Sequence, residues 1–232
     1  MRMTHIASLL VAVLMAFMIA NVQALIITTP TDLNVGDQYR LAFITLQRTQ
    51  ALSADIDTYN DFVTAQANTA PLLAALGTTW RAIASTSSVS AKINTSTDDS
   101  GPGKDGVPIF RLDGLILAMN YDDLWDGMIE NALFIAQDGT ILDTCCGTWT
   151  GTDIFGVAVP GFALGDGVSV VDGAPNGVGN NWIQTNPFPA SELQFLYGIS
   201  GVLTRAVPEP PILYLLVPGL LGLIGIARRK KA

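Results

Sequence analysis

The chain has 232 residues, of which 20 are acidic and 12 basic, so its net charge at pH 7 is −8. The only histidine is His5, close to the N-terminus. The body of the chain therefore cannot contain a Ser-His-Asp triad, a Cys-His pair or a histidine-ligated metal site.

The first 24 residues have the pattern of a secretory signal peptide. Arg2 supplies a positive charge, the stretch from Ile6 to Ala20 is apolar, and Val22-Gln23-Ala24 offers small residues for cleavage. We therefore predict a signal peptide at 1–24 and a mature chain that begins at Leu25. A retained N-terminal anchor is the alternative, although the apolar run is short for a membrane span.

The segment 25–206 is long enough for one domain with its own hydrophobic core. It contains 19 acidic and 7 basic residues, a net charge of −12. Such a charge favours solubility outside the cell and is compatible with divalent cations. It disfavours binding to nucleic acid or to anionic lipid, so we predict no nucleic-acid partner.

The first half of this segment predicts a strand followed by a helix. The stretch from Tyr39 to Leu46 is apolar and partly alternating, as in a strand. Asp55 or Asp57 is expected to cap a helix that places Tyr59 and Val63 near one face.

Two further features follow before residue 110. Pro71 fits the first turn of a second short helix, which Gly77 would end. Trp80 and Ile83 are expected to enter the core, and the stretch 94–108 is a polar loop rich in glycine and proline.

The second half of the domain predicts strands and long loops. Asp113-Gly114 is a strong hairpin signal, and Asp122 or Asp123 is expected to cap a helical turn that ends at Gly127. Glycine content rises from 139 to 181, as in long loops, and a final strand closes the domain. This order predicts an α+β fold, in which short helices and antiparallel strands are joined by glycine-rich loops.

The only two cysteines are the neighbours Cys145 and Cys146. Export would favour their oxidation, but adjacent residues close a disulfide only as a strained ring. A buried reduced pair, a vicinal disulfide and intermolecular pairing all remain open. Two thiols without a histidine make a poor zinc site, and we favour small core residues as the interpretation.

Residues 207–232 combine three features. Val207-Pro208-Glu209-Pro210 precedes an uncharged apolar run at 212–227, and Arg228-Arg229-Lys230-Lys231 follows it. As a helix the run would reach about 24 Å, against a hydrocarbon core of about 30 Å, so its flanking residues would have to help it to span. The basic cluster then predicts a cytoplasmic end and a domain that lies outside.

This three-part order resembles the PEP-CTERM sorting signal. The resemblance implies recognition by an exosortase, a membrane transpeptidase or protease of Gram-negative bacteria that make exopolysaccharide. It implies a precursor held in the inner membrane by helix 212–227, removal of the tail, and then release or attachment at the cell surface. An ordinary C-terminal anchor after a proline-rich hinge is the alternative.

A second resemblance covers about residues 38–204. Thr79-Trp80-Arg81-Ala82, the stretch from Arg111 to Gly127, and Trp149-Thr150-Gly151-Thr152 occur in an order similar to that of bacterial lectin-like domains of the DUF1554 type. These are related to C-type-lectin and endostatin-like modules. The resemblance implies a lectin-like mixed fold, although the spaced cysteines of that group are absent here.

One candidate metal site lies in the sequence "NYDDLWDG". Asp122, Asp123 and Asp126 fall within one turn or loop, where their carboxylate oxygens could converge on Ca²⁺. Helix capping and turn formation are the alternative role for these residues.

One candidate glycan site lies in "GVGNNW". Trp182 offers a ring on which a sugar could stack, and Asn180 and Asn181 offer amides for its hydroxyl groups. A tryptophan buried in the core is the alternative.

These features predict an exported, non-catalytic glycan-binding or surface module of the cell envelope or exopolysaccharide matrix. Its expected partners are the secretion machinery, an exosortase and extracellular polysaccharide, and Ca²⁺ is its only candidate cofactor. Two alternatives stay open. One is a carboxylate-dependent polysaccharide hydrolase, which needs two carboxyl groups about 5–9.5 Å apart. The other is a purely structural surface protein.

Overall fold

The computed structural model of the protein describes residues 24–98, 105–142 and 147–207. The predicted signal peptide up to residue 23, the cysteine pair and the sorting signal beyond Val207 lie outside these residues. Within the described ranges, no helix is long and apolar enough to cross a membrane.

The described part contains one helix of 13 residues, three helices of four residues each, and nine strands. The α+β class is therefore confirmed. The helices are α1 (Ile56–Asn68), α2 (Pro71–Ala74), α3 (Ala91–Asn94) and α4 (Tyr121–Leu124). The strands are β1 (Gln38–Ile44), β2 (Trp80–Ala82), β3 (Ile109–Arg111), β4 (Ile116–Ala118), β5 (Thr148–Trp149), β6 (Ser169–Gly173), β7 (Pro187–Pro189), β8 (Phe195–Ser200) and β9 (Leu203–Thr204).

All nine strands join one mixed sheet in the order β4-β3-β1-β8-β5-β6-β7, with β2 added to β8 and β9 added to β1. The prediction of antiparallel strands was wrong in part. Strand β1 is antiparallel to β8 but parallel to β3, and β5 is parallel to β8. Strand β8 has β1 along one edge and both β2 and β5 along the other. The predicted final strand is thus two strands, β8 and β9, which pair with different parts of β1.

The sheet is buried on both faces because its central strands are apolar on both faces. Successive side chains of a strand point to opposite sides. Leu41 and Phe43 of β1 accordingly join one core cluster, and Ala42 and Ile44 join the other. Helix α1 covers the first face with Tyr59 and other residues, whereas tryptophans from the loops enter the second.

Local signals place several elements as predicted. Asp55 caps α1 by accepting a hydrogen bond from the backbone N–H of Asp57 at 3.0 Å. Pro71 opens α2, and Asp113-Gly114 forms the turn between β3 and β4, where Gly114 has a φ of +85°. The predicted cap of α4 was wrong, because Asn120 caps that helix instead of an aspartate.

The Arg111-to-Gly114 motif has a structural role. The Arg111 guanidinium pairs with the Asp113 carboxylate and donates to the carbonyl of Ala132 at 2.5 Å. It also lies 4.4 Å from the centre of the Phe134 ring. These contacts fasten the β3–β4 hairpin to the chain that follows α4.

A buried pair of amide side chains joins helices α1 and α3 to the sheet. The side chains of Asn60 and Asn94 exchange two hydrogen bonds of 2.9 Å. Asn60 also accepts from the N–H of Ala82, and Asn94 donates to the carbonyl of Ala82. Helices α1 and α3 are thereby held on β2, the strand next to β8.

We expect Asn94→Ala to destabilise the fold by about 2–4 kcal/mol, because it leaves the Asn60 amide and the Ala82 carbonyl buried without partners. Urea unfolding followed by circular dichroism would measure the loss. Asn68→Ala, at an exposed position of α1, is the control and should change stability by no more than about 0.5 kcal/mol. Equal effects of the two substitutions would contradict this role.

Candidate functional site

Two of the three aspartates of the predicted Ca²⁺ site are bonded to separate backbone N–H groups. Asp123 accepts from the N–H of Met119 at 2.6 Å, and its own N–H donates to Asn120. Asp126 accepts from the N–H of Met128 at 2.9 Å. Across the described ranges, no three histidine, cysteine or acidic side chains come together as metal ligands. The predicted convergence of Asp122, Asp123 and Asp126 is therefore corrected, because Asp123 and Asp126 bind backbone N–H groups of the turns around α4.

The predicted stacking ring lies in the core. Trp182 is fully buried, and its ring centre lies 6.2 Å from that of Trp125 and 5.9 Å from that of Tyr197. A sugar needs an accessible ring face, so the prediction for Trp182 is corrected. Asn180 and Asn181, beside it in a single 3₁₀ turn, are exposed.

Another tryptophan of the sequence motifs is also internal. Trp149 is fully buried and donates through Nε1 to the carbonyl of Thr49 at 3.0 Å. Thr150 donates to the carbonyl of Ile183 at 2.7 Å. The Trp149-to-Thr152 motif therefore holds residues 147–190, the loop-rich half of the domain, against the sheet.

The exposed aromatic rings are ones that the sequence analysis did not single out. Phe155, Phe188 and Phe162 are 59, 43 and 39% exposed, and they are the exposed aromatic side chains of the described chain. All three belong to 151–190. The sequence contained a signal for the exposure of Phe155, because an aromatic residue within a tight turn between an aspartate and a glycine has few core residues to pack against.

A rigid turn presents Phe155 to solvent. The Asp153 carboxylate accepts hydrogen bonds from the N–H groups of Phe155 and Val157, at 3.0 and 2.9 Å. Gly156 has a φ of +75° and lies so close to the Trp125 ring that a β-carbon would overlap it. The turn therefore sits on a buried tryptophan and directs its phenylalanine outward.

Phe188 is held on a protected edge of the sheet. It is the central residue of β7, where it pairs with Val170 of β6. Its neighbours Pro187 and Pro189 have no N–H to offer to another strand, which suits an outermost strand exposed to solvent. The ring is thus displayed on an edge that resists pairing with a second chain.

Phe188 lies far across the sheet from the place where the chain leaves the domain. Strand β9, which precedes that exit, pairs with the start of β1, at Gln38 and Tyr39. Strand β7 is separated from β1 by β8, β5 and β6. Four inter-strand spacings place β7 about 19 Å from β1.

One buried acid has a perturbed environment. Asp172 of β6 is only 3% exposed and accepts a hydrogen bond from the Thr185 hydroxyl. Burial raises the pKa of Asp172 to about 6, while its hydrogen bonds to Thr185 and Gln194 oppose that rise. A β-carbon at Gly147 would overlap the Asp172 carboxylate, so only glycine fits beside it.

Polar side chains surround the Asp172 carboxyl group. Its side-chain hydrogen-bond partners among the described residues are the Thr185 hydroxyl and the Gln194 amide. Beside it, the side-chain carbonyl oxygen of Gln194 is buried and has no hydrogen-bond partner among the described residues.

Comparison with models of known families finds no match for the chain, and neither does comparison with curated proteins. Both resemblances drawn from the sequence therefore stand as proposals.

The raised pKa of Asp172 predicts a pH dependence of stability. The folded chain holds this proton up to about pH 6, whereas an unperturbed carboxyl releases it near 3.8. The contribution of Asp172 to the free energy of unfolding is thus greatest below pH 3.8 and is lost as the pH rises through 6.

Relative to Asp172→Asn, the wild-type chain should lose about 2 kcal/mol of stability between pH 4 and pH 7. Urea unfolding of both proteins across this range measures the difference. A gap between the two proteins that does not change with pH would contradict a buried, protonated Asp172.

Proposed function

We propose that this chain is an exported protein of the cell envelope or exopolysaccharide matrix, and that its domain at 25–206 is a non-catalytic, lectin-like module that binds polysaccharide. Export and sorting are supported by the signal-peptide pattern of 1–24 and the three-part pattern of 207–232. The observation that carries the binding role is the set of three exposed phenylalanine rings in the loop-rich half.

The lectin-like assignment is supported by the arrangement of the sheet. One helix and several single turns pack on a mixed sheet, and long loops connect β5 to β8. The C-terminal edge of the domain lies at the start of β1, whereas Phe188 lies on β7 at the far edge of the sheet. This arrangement suits a module that is tethered at one end and contacts a matrix with the other.

The orientation of the domain relative to the membrane supports a binding role for Phe188. If helix 212–227 holds the precursor in the inner membrane, Arg205 and its neighbours lie next to that membrane. Strand β7, which carries Phe188, then lies at the edge of the sheet remote from Arg205. Each exposed aromatic face offers a surface on which a sugar ring can lie.

The charge of the domain narrows the class of polysaccharide. A net charge of −12 repels polymers rich in carboxylate or sulfate groups. We therefore propose a neutral polysaccharide as the ligand. The aromatic rings would contact its sugar faces, and exposed amides such as those of Asn180 and Asn181 would contact its hydroxyl groups.

A glycan array that includes the host's own exopolysaccharide, probed with the protein recovered from its host, would test this role. Phe155→Ala or Phe188→Ala should weaken binding about tenfold, which corresponds to about 1.4 kcal/mol. Leu72→Ala, which also removes an exposed apolar side chain but from α2, should leave binding unchanged. Wild-type binding in both phenylalanine variants, or no binding to any glycan, would reject the proposal.

The same array run with Ca²⁺ and then with EDTA separates two kinds of lectin. We expect the binding to survive EDTA, because Asp123 and Asp126 are engaged by backbone N–H groups. Loss of binding in EDTA, restored by Ca²⁺, would contradict this and return attention to the Asp122 region.

A further inference from the structure

The C-terminal edge of the domain is fastened to residues 31–37 by Arg205. Its N–H donates to the carbonyl of Asp37, and its own carbonyl accepts from the N–H of Gly36, both at 2.9 Å. Its guanidinium donates to the carbonyl of Thr31 at 3.0 Å and also to that of Leu33. Just before it, β9 is paired with β1.

Only Ala206 separates this attachment from the motif that begins at Val207. A chain spans at most about 3.3–3.6 Å per residue, so Val207 lies within about 7 Å of Arg205. The start of the motif therefore stays at the edge of the domain while β9 is paired.

We propose that β9 and Arg205 form a latch that must open before the C-terminal signal can be processed. This inference rests on the proposed function, since it takes the segment that starts at Val207 to be the one that a membrane-bound enzyme reads. Enzymes that read a peptide motif hold it as an extended segment within a cleft. The walls of such a cleft would collide with the turn at 31–37 as long as Arg205 remains attached to it.

The latch is built to open without unfolding the domain. Strand β9 has two residues, of which Leu203 is half-buried and Thr204 is exposed. All six residues of β8, by contrast, are buried. Short terminal segments with few buried contacts open at a small fraction of the global unfolding free energy.

Opening would end near Gly201, whose N–H is bonded to the carbonyl of Thr79 at 2.8 Å. Residues 202–207 would then be free. Six residues add up to about 20 Å of reach, enough to carry Pro208 clear of the domain. Val202, which is already exposed, makes little contact that opposes this release.

A reversible lock across the latch tests the inference. Gln38 and Thr204 are directly paired across β1 and β9, a spacing that a disulfide can bridge. The full-length precursor with Gln38→Cys and Thr204→Cys would be followed by pulse-chase in cells that contain the exosortase. We expect processing to slow at least tenfold and to recover when reductant is added, while Gln38→Cys alone is processed normally.

Loosening the latch should have the opposite effect. Arg205→Ala removes the side-chain bonds to Thr31 and Leu33, so we expect several-fold faster processing. We also expect faster amide hydrogen exchange at 203–205 in the precursor, with β1 and β8 still protected. Arg81→Ala makes the same charge change at an exposed position of β2 and should alter neither measurement.

The outcomes distinguish a failure of the latch proposal from a failure of the sorting function on which it rests. A locked precursor that is processed at the wild-type rate would overturn the latch while leaving the sorting signal intact. Unchanged processing in Arg205→Ala, despite faster exchange at 203–205, would also overturn it. A wild-type precursor that is never shortened in these cells would overturn the proposed sorting itself, and the latch with it.

Discussion

Strand β8 is the element on which the rest of the domain depends. It is hydrogen-bonded along both edges and buried on both faces, so β1, β2 and β5 all require it in place. Gly198 at its centre has no room for a β-carbon, because Val63 of α1 and Phe43 of β1 pack against it. Helix α1, strand β1 and the loop-rich half of the domain therefore all pack or pair against β8.

The position of β8 near the end of the domain has consequences for folding and export. Its partner β1 lies about 150 residues earlier in the chain, and such long-range pairing slows folding. The sheet cannot close until residue 200 is available, which leaves little chain before the proposed sorting signal. Completion of the sheet, pairing of β9 and presentation of that signal thus involve one short stretch of sequence.

Local interactions were predictable from the sequence, whereas burial was predictable only in part. Trp80 and Ile83 are buried as expected, but other positions were not foreseen. The Asp55 cap and the Asp113-Gly114 turn depend on groups within a few residues, so pattern and side-chain chemistry suffice to place them. Whether Trp182 faces solvent or the core depends on Trp125 and Tyr197, which come from distant parts of the chain. Asp172 shows the same limit, because its raised pKa arises from burial by strands and loops that no local pattern identifies.

The exposed phenylalanines illustrate a further limit of prediction from the sequence. Phe155 and Phe188 are exposed because a turn and an edge strand hold them out, and the edge strand exists only once β6 has paired with it. Tryptophan is the residue that the sequence suggested for sugar stacking, yet every tryptophan of the described chain is buried. A large ring inside an apolar domain is more often core than contact surface.

The mass of the mature protein, recovered from the cell surface or the medium, tests the central claim of export and processing most directly. Our account predicts an N-terminus at Leu25 and the loss of the apolar run and of the basic cluster from Arg228 to Lys231. A protein that retains Met1, or one that keeps its Arg-Arg-Lys-Lys end wherever it is recovered, would contradict that claim.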